Sequence, residues 1–161
     1  MTAEPWHAKV MSMSTLEPAV TQDHPDAIAY GRTADAFRAG DLDVVESLIA
    51  PDVVWHVPGD HPMAGTIEGR EALLAWLARL KGIGFWTIER DVFASDQHVC
   101  SVSMMGARRD DVDVQTRVIS IFRYRDGRQV ERWVYPDDTA AWNAIFAGLN
   151  RDALAGVDPL R

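Results

Sequence analysis

Cysteine is nearly absent from this chain. Cys100 is the one thiol in 161 residues, so an intrachain disulfide is excluded. It sits in a strand-like run, HVCSVSMM, with no pairing partner apparent, the setting of a buried structural thiol rather than a nucleophile. No run of about 18 apolar residues occurs, so no membrane span is expected. Residues 1–20 lack the apolar core of a secretory signal. With Met1, Met11 and Met13 as alternative starts and Ser, Thr, Pro and Glu prominent, residues 1–22 read as a flexible leader, and a cytoplasmic location follows by default. Positive charge is also short. Sixteen Lys and Arg against 24 Asp and Glu leave a net charge of −8. Non-specific nucleic-acid binding depends on Lys and Arg displacing counterions, so this balance argues against it. No internal repeat or low-complexity segment is present.

What remains is an ordinary globular composition, 47% hydrophobic and 25% charged. The length suits one domain, placed at residues 23–150 with 151–161 as a tail. Ala27, Tyr30, Ala34 and Phe37 recur at helical spacing, with Thr33 on the same stripe, and predict a helix over 26–39 that Gly40 ends. Asp41 caps a short second helix with Leu42, Val45, Leu48 and Ile49 on its inner face, stopped by Pro51. Residues 52–57 (DVVWHV) read as a strand broken by Pro58–Gly59. A loop carrying Asp60, His61, Pro62 and Met63 runs through Gly65, and Gly69-Arg70-Glu71 leads into a helix with Leu73, Trp76, Leu77 and Leu80 apolar. Four strands follow, over 84–94, 97–107, 112–125 and 128–135. The third alternates with Val112, Val114, Thr116, Val118, Ser120, Phe122 and Tyr124 on one face. Asp126–Gly127 is the strongest turn, since both residues tolerate the positive φ of a type I′ hairpin. A last helix, 140–147, carries Trp142, Ile145 and Phe146. Tight turns make the four strands antiparallel, and helices preceding them can cover one face of a curved sheet, leaving a cavity at its open end.

These elements resemble a known family. The stretch AFRAGDLDVVESLIAPDVVWHVPGDHPMAGTIEGREAL is similar to the first half of SnoaL-like polyketide cyclases and ketosteroid-isomerase-like proteins of the NTF2-like superfamily. Glu131-Arg132-Trp133-Val134-Tyr135 followed by Asp137 resembles their last strand, and the resemblance covers residues 25–148. It implies an α+β, NTF2-like cone: a curved antiparallel or mixed sheet wrapped around three N-terminal helices, with a C-terminal helix. It also implies a deep apolar pocket, a small apolar ligand, no cofactor, and a homodimer formed through the sheet. Activities in such proteins include isomerisation by proton transfer, cyclisation, epoxide hydrolysis, dehydration and plain ligand binding, so fold does not give function.

Carried over residue by residue, the family's catalytic positions are altered. The Asp base of ketosteroid-isomerase-like enzymes falls on Val57, their oxyanion-holding Tyr on Thr33 with Tyr30 one turn earlier, and their protonated Asp near Ser120. Valine cannot carry a proton, so steroid isomerase activity is not expected. The late-strand acid of SnoaL-like cyclases would be Asp111 or Asp113, both near a hairpin end where solvated turn acids are the plainer reading. An epoxide-hydrolase-like set would need Arg117 or Arg132 between two carboxylates, which the sequence does not place. The remaining catalytic candidates are His56, His61 and Arg132. His56 turns away from the pocket if Val57 faces in, unless a bulge near Pro58 reverses it. His61 lies in a loop at the expected pocket mouth. Arg132, sharing a face with Val130 and Val134, would hold an anionic group if that face is the pocket, since a buried Arg needs a partner. His56, Asp60 and His61 do not have the spacing of a metal site, and no metal is expected. The pocket is expected to draw on Tyr30, Thr33, Phe37, Trp55, Val57, Met63, Trp76, Val118, Ser120, Phe122, Val134 and Tyr135. Two readings stay open: a cofactor-free lyase, isomerase, cyclase or hydrolase, and a non-catalytic ligand-binding or dimerisation domain. For the latter, Gln115, Arg117 and Arg123 make the outer sheet face polar.

Overall fold

A computed structural model describes residues 23–149 except Asp111. The expected leader and tail, and Asp111 as a candidate acid, lie outside the described residues. Helix α1, Pro25–Ala39, begins on a proline whose fixed φ suits a first turn and whose missing N–H is not needed there. The His24 side chain accepts from the Asp26 N–H, and Gly40 closes the helix at φ 75°. Asp41 caps α2, Leu42–Ser47, by accepting from the Val44 N–H. Strand β1, Ile49–Val57, starts earlier than the sequence suggested. Leu48 and Ile49 were expected to continue the helix and Pro51 to stop it. Instead Pro51 lies in the strand, where pairing skips from Ile49 to Val54. An interrupted ladder asks nothing of a residue without an N–H.

Gly65, expected to close the loop, opens a short edge strand instead, β2 (Gly65–Glu68), antiparallel to β1 and not expected from the sequence. Then come α3 (Arg70–Gly82), β3 (Phe85–Ala94), β4 (Val99–Arg109), β5 (Val112–Arg125), β6 (Arg128–Pro136) and α4 (Thr139–Ile145). The four late strands pair antiparallel in chain order, and β6 then lies parallel beside β1, giving the order β2-β1-β6-β5-β4-β3. Asp126 and Gly127, at φ 54° and 72°, form the β5–β6 turn as type I′ requires. Gly106 is tied to packing: a Cβ there would lie 2.5 Å from the Val114 carbonyl oxygen and 2.6 Å from the Trp86 ring.

The result is an α+β fold with a six-stranded mixed sheet whose inner face carries α1, α3 and α4. The main core gathers Val53, Leu73, Leu77, Val118, Ile145 and Phe146. Tyr30, Val92, Val99 and Phe122 form a second cluster towards the far end of α1. No helix among the described residues is long and apolar enough to cross a membrane.

One irregularity decides the site. Arg123 pairs with Glu131 but the next residue, Tyr124, pairs with Gln129, so Val130 is an extra residue in β6. A bulge of this kind changes the facing of what precedes it. Arg132 therefore shares its inward face with Gln129, which is 1% exposed, rather than with Val130 as simple alternation predicts.

Candidate functional site

Between the inner sheet face and the helices lies a narrow, partly open cavity of about 80 Å³. That is space for several waters or a slender, flat molecule. Tyr30, Thr33 and Phe37 reach it from α1 and Trp76 from α3; Trp55, Val57, Phe122, Val134 and Arg132 reach it from the sheet. Alternation on β1 explains its share: Val53, Trp55 and Val57 are buried while His56 points the other way.

The wall is apolar except at one end. Among the described lining residues the charged ones are Glu89 and Arg132. The Tyr30 hydroxyl donates to Glu89 Oε1 at 3.0 Å, and Arg38 pairs with Glu89 Oε2. Arg132 Nη2 donates to Ser120 Oγ at 2.9 Å. Its guanidinium lies 4.4 Å from the Trp55 ring centre and 5.1 Å from that of Phe122, close enough for both rings to stabilise the charge. Trp55 Nε1 in turn donates to Gln129 Oε1 at 2.6 Å, and Gln129 Nε2 donates to Tyr124 at 3.4 Å.

This environment moves the titration of its members. Burial pushes Arg132 down to about 10, opposed by the nearby Tyr30, Glu89 and Tyr124. Burial, and then the Glu89 charge, drive the Tyr30 hydroxyl far above its ordinary range, so it stays protonated and serves as a donor. Burial raises Tyr124 to about 12. Four buried side-chain polar atoms among the described residues lack a hydrogen-bond partner: Thr87 Oγ1, Ser101 Oγ, Ser103 Oγ and Arg132 Nε. They belong to the same end of the sheet. Glu89 lies opposite Ser103, Ser101 opposite Ser120, and Phe122 opposite Arg132.

Several candidate residues lie elsewhere. His56 is on the outer sheet face, stacked 5.5 Å from Trp133 and 3.0 Å from Glu131 Oε1; no bulge near Pro58 turns it inward. His61 is not at the cavity mouth. It is 5% exposed and stacked 4.0 Å from Phe146. Its Nε2 donates to the Pro58 carbonyl at 3.0 Å while Nδ1 accepts from the Met63 N–H at 3.2 Å. Both nitrogens are spent within the loop, and the ring packs the loop against Trp142 and Phe146. Tyr135 is 52% exposed, on the outer face, because Val134 takes the inward position. Met63 and Val118 are core residues outside the cavity wall, and the Met63 carbonyl accepts from Trp76 Nε1 at 3.0 Å. Ser120 is buried behind Arg132 and acts through it. Thr33 Oγ1 donates back to Ala29 in its own helix at 2.9 Å. Asp113 is exposed beside Arg108 and Arg117 pairs with Asp137 at 2.9 Å, so neither enters the cavity. His56, Asp60 and His61 do not converge, and no group of three possible metal ligands occurs among the described residues.

Sequence reading missed Glu89, Thr87 and Gln129. For the first two the signal was available: in FWTIERDVFA, alternation sets Phe85, Thr87 and Glu89 on one face, and all three line the cavity. Gln129 was concealed by the β6 bulge.

Comparison with known proteins places this architecture. An uncharacterized protein of Mycobacterium tuberculosis is 30% identical over 129 residues, covering 78% of this chain and 98% of its own. The structure of Bal32a, from a soil-derived mobile gene cassette, superimposes with a TM-score of 0.72 at 26% identity, covering 76% of this chain and 96% of that one. An LEH-like epoxide hydrolase from M. tuberculosis shares the fold with a TM-score of 0.64 at 22% identity, over 77% of this chain and 91% of its own. The SnoaL-like domain family matches residues 30–132, and with the sheet order and the cavity between sheet and helices described, the chain belongs to the SnoaL-like family of NTF2-like folds.

Proposed function

We propose that the chain binds a small, largely apolar molecule in the cavity and acts on it by cofactor-independent proton transfer, as an isomerase, lyase or cyclase does. The observation that carries this reading is Glu89. A carboxylate at the polar end of a largely apolar wall, oriented by Tyr30 and Arg38, has the placement a general base needs. It would take a proton from a carbon next to a carbonyl. The C–H electron pair then moves to the carbonyl oxygen, and the unpartnered Thr87 hydroxyl, on the same strand face, is a donor for that oxygen. Return of the proton to a second carbon completes an isomerisation; loss of a β-substituent completes an elimination. An epoxide-hydrolase reading is less well supported, because Glu89 is the one carboxylate among the described lining residues.

The test is solvent-deuterium exchange. A panel of small cyclic and aryl ketones is incubated with the protein in D₂O and followed by NMR. Exchange is expected in at least one ketone, falling about 100-fold or more in Glu89→Gln. Equal exchange with wild type and variant would remove catalysis and leave the non-catalytic binding reading.

A second reading concerns assembly. On the outer sheet face Tyr135 lies beside Ile119 and Val102, and Trp133 beside Ile121 and Cys100. Ile119 is 42% exposed. This apolar strip between the paired Arg117 and Arg123 supports a homodimer formed face to face through the sheet.

A further inference from the structure

The cavity holds a guanidinium that no carboxylate of the described residues touches directly, although the Glu89 charge lies near enough to stabilise it. Glu89 has both oxygens engaged, Oε1 by the Tyr30 hydroxyl and Oε2 by Arg38. Arg132 makes no ion pair among the described residues, and its one hydrogen bond goes to a neutral hydroxyl. Its Nε–H is buried and unpartnered. A buried cation with no direct ion pair and a spare N–H is a costly arrangement that an incoming anion relieves. Geometry narrows which anion. Trp55 and Phe122 lie against the guanidinium and, with the Ser120 bond, limit how it can turn. A guanidinium edge presents parallel donors matched to the two oxygens of a carboxylate. Away from Glu89, Thr33, Thr87 and Gln129 the wall is aromatic and aliphatic, and the space is narrow.

We infer that Arg132, with Ser120 behind it, is a carboxylate subsite, and that the ligand is a flat, unsaturated carboxylic acid whose apolar body lies along Trp55 and Phe122. This rests on the reading above in one respect: the cavity must be where the ligand binds. It assigns a different task to a different group, since Glu89 moves the proton and Arg132 anchors the acid.

Binding is measured with three isosteres, trans-cinnamate, cinnamamide and cinnamyl alcohol, through quenching of tryptophan fluorescence. Cinnamate is expected to bind wild type at least about tenfold more tightly than the amide or alcohol. In Arg132→Gln the acid should weaken to within about twofold of the amide, while the amide itself changes little. In Glu89→Gln the preference for the acid should persist. Equal binding of all three by wild type would overturn the subsite and leave the cavity reading standing. Binding of none would overturn both. Should Arg132→Gln fail to fold, the wild-type comparison decides alone. Loss of the preference in Glu89→Gln would overturn the division of roles. Absence of ketone exchange alongside a retained acid preference would refute catalysis without touching the subsite.

Discussion

His61 is held neutral by its surroundings. Its Nε2–H reaches the Pro58 carbonyl, its Nδ1 accepts from Met63, and its ring lies on Phe146. Burial lowers its pKa below the ordinary 6.5, against the Pro58 carbonyl and Asp60, which pull the other way. A histidine with a lowered folded pKa contributes stability above its unfolded value and loses it as pH falls through 6.5 towards the folded value. The melting temperature of wild type should therefore fall more steeply between about pH 7 and about pH 5 than that of His61→Asn, whose amide oxygen can replace the Nδ1 acceptor without titrating. Parallel pH profiles would remove this role. The same residue marks the limit of sequence reading at this scale. A histidine in a loop next to a pocket looks like a ligand contact, and only the folded loop shows both nitrogens spent on Pro58 and Met63. Glu89 marks the opposite error, since a carboxylate in a strand looks solvated until the strand's inner face is known.

Among the elements, α4 depends on a remote cap. Arg109, at the end of β4, donates to the carbonyls of Ile83, Ile145 and Ala147 at 2.8, 3.0 and 2.6 Å. Carbonyls in the last turn of a helix have no partner within it, and a cation there also suits the helix dipole. Because α4 carries Trp142, whose Nε1 donates to the Pro58 carbonyl at 2.8 Å, the cap also steadies the wall of the cavity. Arg109→Ala should destabilise the protein by about 1–3 kcal/mol in urea unfolding. It should also speed amide exchange in α4 before that in β4 and β5; uniform exchange would show that the cap is not specific to the helix. The helices and four late strands were legible because each carries its own periodicity and stop signal. β2 was not, since its four residues acquire a strand role only by pairing with β1. The start of β1 was hidden because Pro51 reads as a helix stop and is in fact a gap in a ladder.

For the whole molecule, the fold was open to sequence reading because the order and spacing of weak signals add up, whereas the cavity chemistry depends on which side of a strand each residue takes. The outer face illustrates this. Gln115, Arg117 and Arg123 suggested a polar surface, but the ion pairs of Arg117 with Asp137 and of Arg123 with Glu131 leave an apolar strip around Ile119. A charge there should split the proposed homodimer. Ile119→Asp is expected to sediment as a monomer of 17.9 kDa at concentrations where wild type sediments at twice that mass; a monomeric wild type would remove the assembly. The extra residue in β6 reaches further. Two inward side chains three positions apart cannot belong to one uninterrupted strand, so Gln129 and Arg132 are in phase only because Val130 shifts the count between them. An insertion or deletion of a single residue in this strand acts as a selector in inheritance. It re-assigns which side chains on its hairpin side meet the ligand while those beyond it keep their places, so relatives with the same fold can change cavity chemistry without changing a single residue type.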